Sequence, residues 1–195
     1  MTQPGWEDRH SVSGSRAPGV ALLLVDYQPA YYAGATRAAF PDLPAKVGRL
    51  LASARSRLRP AQIVHVRANY THAFAQNFLR LNPDKPLPSD VDAEPWASGA
   101  VGERVVAKGS FDAFHGTDLD AHLRALGCER VVVCGLLTSV CVLFTAQAAF
   151  ARGYRVTLYS PGCGDRDAGR HAAALQTYGN YIFDVAADIG DLPFP

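Results

Sequence analysis

Three reactive side chains in this sequence share one kind of setting. Asp26 directly follows the apolar run VALLLV (residues 20–25), Lys108 directly follows RVVA (104–107), and Cys141 lies just beyond VVVC (131–134). A carboxylate, an ammonium and a thiol make a coherent chemical set. A thiol is activated when a base takes its proton, and Asp26 can do that and later return a proton to a leaving amine. Lys108 favours the anionic forms of both partners. Taken singly, each residue also has a plain explanation. A strand-end Asp often caps backbone, a Lys is usually a solvated charge, and a Cys is usually a small buried hydrophobe. The set carries weight only if the fold gathers it.

The elements that would gather it can be read from pattern. Val131–Val133 is too short for a helix and is β-branched, so it reads as a buried strand that Gly135 ends. Thr138 and Ser139 are N-cap candidates. Val142, Thr145, Ala146, Ala149 and Phe150 then recur at helical spacing up to Gly153. Cys141 is thereby expected in a first helical turn, where free N–H groups and the helix dipole favour a thiolate.

Further strands are predicted at 20–25, 62–66, 104–107, 155–159 and 181–185, and helices at 43–58, 118–126 and 167–178. Residues 69–103 form a long connection rich in Pro and aromatic side chains, of a length that is usually functional. The alternation predicts an α/β fold: a three-layer, Rossmann-like, six-stranded and mainly parallel sheet with helices on both faces. In such sheets ligands bind beyond the carboxyl ends of the strands, where Asp26, Lys108 and Cys141 all fall.

Composition excludes several classes. A chain of 195 residues suits one domain, expected over residues 18–195 behind a disordered lead-in at 1–17. The net charge of +1 argues against nucleic-acid and membrane partners, and the apolar runs are too short to span a bilayer. Cys128, Cys134, Cys141 and Cys163 form no CxxC pair, which fits a reducing cytoplasm. No G-x-S-x-G elbow and no P-loop occur, and GCGDRDAG at 162–169 misses the dinucleotide spacing.

Three blocks taken together, VALLLVDYQPAYY, GERVVAKGSFDAFHGTDLDAHLRALG and RVVVCGLLTSVCVLFTAQAAFARGY, resemble the isochorismatase-like cysteine hydrolases from Gly19 to Asp188. That superfamily includes nicotinamidases, N-carbamoylsarcosine and ureidoacrylate amidohydrolases and isochorismatases. The most specific part is GLLTSVCV, Gly135 to Val142. The resemblance implies Asp26 as general acid/base, Lys108 as orienting cation and Cys141 as nucleophile. It also implies a non-proline cis peptide at Leu136–Leu137, so that the N–H groups of Leu137 and Cys141 form an oxyanion hole. Gln28 matches the family's Asp-x-Gln, with the holding of the Asp26 loop as its plain alternative.

Departures narrow the reading. Nicotinamidases of the family carry an Asp-x-His pair and further histidines that bind a metal. The matching stretch here is HVRANYTHAF, with His65 inside a strand as a core histidine and His72 by itself, so neither metal nor other cofactor is expected. Isochorismatases cleave a vinyl ether without needing the cysteine, and an intact Cys141 tilts towards C–N hydrolysis. After the fifth strand, Ser160–Gly164 replaces the family's Asp-Ala. Arg67, Tyr32, Tyr70, Phe74, Trp96 and Phe111 join Gln28 as candidates for binding a small-molecule substrate, Arg67 through a substrate carboxylate. Cys163 is expected to be exposed on its loop.

The resulting expectation is a hydrolase of a small amide, ureido or carbamoyl C–N bond that works through a thioester. The alternatives are vinyl-ether cleavage with Asp26 as the acid, and a non-catalytic small-molecule binder. Relatives commonly assemble, so a homodimer or homotetramer is implied by the resemblance.

Overall fold

The computed structural model describes residues 19–85, 87, 88 and 92–195. The lead-in expected at 1–17 lies outside them. In chain order the elements are β1 (Gly19–Val25), α1 (Gly34–Ala39), α2 (Leu43–Arg57), β2 (Ile63–Ala68), α3 (His72–Leu81), β3 (Arg104–Lys108), α4 (Leu119–Ala125), β4 (Cys128–Leu136), α5 (Leu143–Ala151), β5 (Arg155–Gly164), α6 (Ala168–Tyr178) and β6 (Asp184–Ala186).

The strands form one sheet in the order β3-β2-β1-β4-β5-β6. Every pairing between them is parallel, rather than mainly so. Continuous apolar strands explain this arrangement. β2 is buried at every position and β1 at all but its first residue, which a sheet allows only when both faces are covered. Right-handed crossovers send α2 to one face and α4 and α5 to the other. Helix α3, with no buried residue, lies by Tyr70 and Phe111 rather than on a sheet face. Strand order reverses between β1 and β4, which opens a crevice beyond their carboxyl ends.

Several boundaries differ from expectation. β4 continues through Gly135 to Leu136. A Cβ at Gly135 would lie 2.0 Å from the Val25 carbonyl oxygen, and its φ is +145°, so only glycine lets the two central strands close up there. β5 runs past Pro161 to Gly164, with a register shift that spares the ladder the proline's missing N–H. β6 is shorter than 181–185. The 69–103 connection contains α3 and a 3₁₀ turn at Pro95–Ala97, and α1 was not expected at all. Among the described residues no helix is long and apolar enough to cross a membrane.

Candidate active site

β1 ends at the crevice and hands the chain to Asp26, whose φ of +54° is a left-handed conformation that Asp tolerates better than most residues. The Asp26 N–H donates to Val66 O at 2.9 Å. Gln28 holds the turn from the far side: its Nε2 donates to Ala68 O at 3.2 Å, and its Oε1 accepts from the Ala68 N–H at 2.7 Å. Lys108, the last residue of β3, extends to the same point. Its Nζ lies 2.8 Å from Asp26 Oδ2 and donates to Ser110 O at 2.9 Å. Asp26 and Lys108 are both fully buried. The Leu136–Leu137 peptide at the end of β4 is cis.

Cys141 follows in a π-helical turn, Thr138–Val142, that leads into α5. Neither Thr138 nor Ser139 caps this turn through its own side chain. The Thr138 hydroxyl instead donates to Gly164 O at 3.0 Å, and the Ser139 N–H donates to Asp165 Oδ2 at 2.7 Å. Asp165, buried just beyond β5, is the capping acid that reading the local sequence could not supply.

The electrostatics correct one expectation. Cys141 is not a resting thiolate: burial first and then the Asp26 charge push its thiol up to about 12, against the pull of Lys108 and the Tyr70 hydroxyl. Burial raises Asp26 as well, opposed by Lys108 and the thiol. Against burial, the Lys108 ammonium at 2.8 Å favours the ionised carboxylate first through its charge and then as a donor, and the Cys141 thiol and the Ala68 backbone add hydrogen bonds. A buried carboxylate that faces a thiol in this way can take its proton.

Cys141 lines a cavity of about 530 Å³ with Leu137 and Val140. Of the residues expected to meet substrate, Tyr70 and Phe111 line this cavity, and Phe74 stands behind them with its ring 4.7 Å and 4.8 Å from theirs. Gln28, Tyr32, Arg67 and Trp96 lie elsewhere. Gln28 is spent on the clamp to Ala68. Tyr32 and Trp96 pack edge-to-face at 5.1 Å as a structural wall, and the Tyr32 hydroxyl donates to Phe40 O. Arg67 is buried, and burial lowers its proton affinity against the opposing charges of Asp92 and Asp26.

The cavity's cations are instead Lys85 and Arg166, both exposed at its rim, and Tyr31, Phe78 and Phe144 complete its apolar side. Phe78 belongs to the unexpected α3, and Arg166 follows a strand that ran longer than its Pro-Gly signal suggests. Cys163 is buried and donates to Tyr159 O at 3.4 Å, because β5 continues through it. His65 is a satisfied core histidine, 2.8 Å from Glu103. No cluster of three His, Cys, Asp or Glu side chains suited to a metal ion occurs among the described residues.

An all-parallel α/β sheet with a carboxylate, an ammonium and a thiol at its switch point defines an isochorismatase-like hydrolase architecture. The isochorismatase domain model matches residues 20–187, and the chain belongs to that family. It is 31% identical over 178 residues to the uncharacterized isochorismatase family protein YecD of Escherichia coli O157:H7, covering 89% of this chain and 92% of that one. It is 29% identical over 182 residues to maleamate amidohydrolase of Pseudomonas putida, covering 88% and 81%. The structure of N-carbamoylsarcosine amidase from Thermoplasma acidophilum superposes with a TM-score of 0.69 at 25% identity, covering 85% and 94%.

Proposed function

We propose that this chain hydrolyses a small amide, ureido or carbamoyl C–N bond through a thioester on Cys141. The observation that carries the reading is the meeting of side chains from the ends of β1, β3 and β4 beside one cavity. The Asp26 carboxylate takes the thiol proton as the sulfur attacks the substrate carbonyl. Burial raises the proton affinity of Asp26, which narrows the gap to the thiol that it must deprotonate. The N–H groups of Leu137 and Cys141 receive the oxyanion. The amine leaves with the proton from Asp26, and water activated by the same carboxylate releases the acid. Lys108 holds Asp26 in position and favours its ionised form before the thiol proton arrives and again once the amine has taken that proton away.

The amidohydrolase relatives support C–N chemistry, and the cations at the rim suit a substrate with an acidic tail. Lys85 and Arg166 stand where a carboxylate could be paired while the scissile carbonyl lies against Cys141. The experiment is ammonia release across a panel of amides, ureas and carbamoyl compounds, with and without a distal carboxylate, by the wild type and Cys141→Ala. The proposal expects turnover by the wild type only, with the intact fold retained in the variant. The raised affinity of Asp26 for a proton also suits a general acid, so turnover of an enol ether by Cys141→Ala would transfer the assignment to ether cleavage.

A further inference from the structure

Two hydroxyls in the apolar wall form an ordered chain that ends on the reactive sulfur. Tyr31, in the loop after β1, donates its hydroxyl hydrogen to the Tyr70 oxygen at 2.7 Å, and the Tyr70 oxygen lies 3.9 Å from Cys141 Sγ. A phenol carries one hydrogen. The hydrogen of Tyr31 is committed to Tyr70, which leaves the Tyr70 hydrogen free to point at sulfur. The thiol's own hydrogen has a better acceptor in the Asp26 carboxylate, so the Tyr70–sulfur contact runs from oxygen to sulfur. The Tyr70 ring is fixed by Phe74 at 4.7 Å, Phe111 at 5.9 Å and the Lys108 ammonium 5.5 Å from its centroid. Phenylalanine would fill this wall equally well, so the paired hydroxyls call for a reason beyond packing.

We propose that Tyr70 is a catalytic hydrogen-bond donor to the Cys141 thiolate and that Tyr31 is the positioning residue that orients it. The inference rests on the hydrolase reading in which Cys141 is the nucleophile. Tyr70 keeps its proton throughout. The thiol proton passes to Asp26 as the S–C bond forms, and the Tyr70 hydrogen bond strengthens as charge gathers on sulfur. When water later breaks the S–C bond, the same donor stabilises the departing thiolate until a proton returns to it from Asp26. The 3.9 Å contact is long for a resting thiol and tightens once the sulfur is charged. The charged and titratable groups around the sulfur are Asp26 from β1, Lys108 from β3, and Tyr70 with Tyr31 behind it. Lys85 and Arg166 stand across the cavity.

The test needs no substrate. Iodoacetamide labelling, mapped by peptide mass to Cys141, is followed in wild type, Tyr70→Phe, Tyr31→Phe and the double variant. Thiolate ultraviolet absorbance is titrated in parallel, each protein being read against its own Cys141→Ala counterpart. Tyr70→Phe is expected to slow labelling about tenfold, as loss of one hydrogen bond to a charged group implies, and to bring in the thiolate signal at higher pH. Tyr31→Phe slows labelling less, and adds nothing in the Tyr70→Phe background. A thiolate titration unmoved by Tyr70→Phe, or losses that simply add as altered access would give, would overturn the proposal and leave the hydrolase reading standing. Failure of the wild type to release ammonia from any compound of the amide, urea and carbamoyl panel would instead remove the hydrolase reading, and this inference with it.

Discussion

Asp26 and Lys108 are each improbable as buried residues and sensible only as a pair. Lys108→Met would leave an uncompensated carboxylate in the interior, at a cost of about 3–5 kcal/mol in urea unfolding, whereas Cys141→Ala changes stability far less. Equal losses in both variants would mean that the ammonium is not what supports the carboxylate. Because burial raises Asp26 and the base must be ionised, kcat/KM should rise with pH through a midpoint above the usual carboxylate value. An acid limb at or below that value would contradict the assignment. At this scale the meeting of Asp26, Lys108 and Cys141 was legible, since each follows an apolar run. Phe78 and Arg166 were not assigned to the cavity, because one sits on a helix with no buried face and the other follows a strand that outruns its Pro-Gly signal.

The elements hold the site through polar junctions as well as apolar packing. Glu103, just before β3, accepts from Arg55 of α2 at 2.8 Å and 3.1 Å, from the Ala100 N–H at 2.8 Å, and pairs with His65 of β2 at 2.8 Å. Burial would raise this carboxyl, but those donors outweigh it and hold it at about 2, below its unfolded value of 4.5. A depressed folded value contributes stability above pH 4.5 that is lost as pH falls towards 2. Burial also depresses His65, so its contribution fades below the ordinary imidazole value, in the same direction. Glu103→Gln should therefore cost about 1–3 kcal/mol near neutrality and flatten the acid loss of stability, both read from urea midpoints against pH. An unchanged acid slope would place that loss elsewhere. The strands were legible from their continuous apolar runs and the longer amphipathic helices from their period. α3 has no fully buried residue, and the Thr138 turn takes its cap from Asp165 across the sheet, so neither left a local signature.

At the scale of the whole molecule, stability comes from the two-sided central strands. Leu22 and Leu23 of β1 are wholly buried and belong to the one apolar core. Leu23→Ala should cost about 2–5 kcal/mol in urea unfolding, while Val101→Ser at an exposed turn stays within about 0.5 kcal/mol. A mild effect at Leu23 would mean that β1 does not anchor the core. The parallel architecture was legible because such strands must be apolar throughout. The order that sets β1 beside β4 was not, since pairing is decided by crossovers and by close approaches such as Gly135 against Val25. That adjacency is what sets the Asp26 carboxylate beside the Cys141 thiol. Its most direct test is the mass of the protein acid-quenched during turnover of whichever panel compound releases ammonia. The account predicts an acyl adduct that maps to Cys141, is removed by hydroxylamine and is absent from Cys141→Ala. Turnover that continues in Cys141→Ala with no covalent adduct anywhere would contradict it.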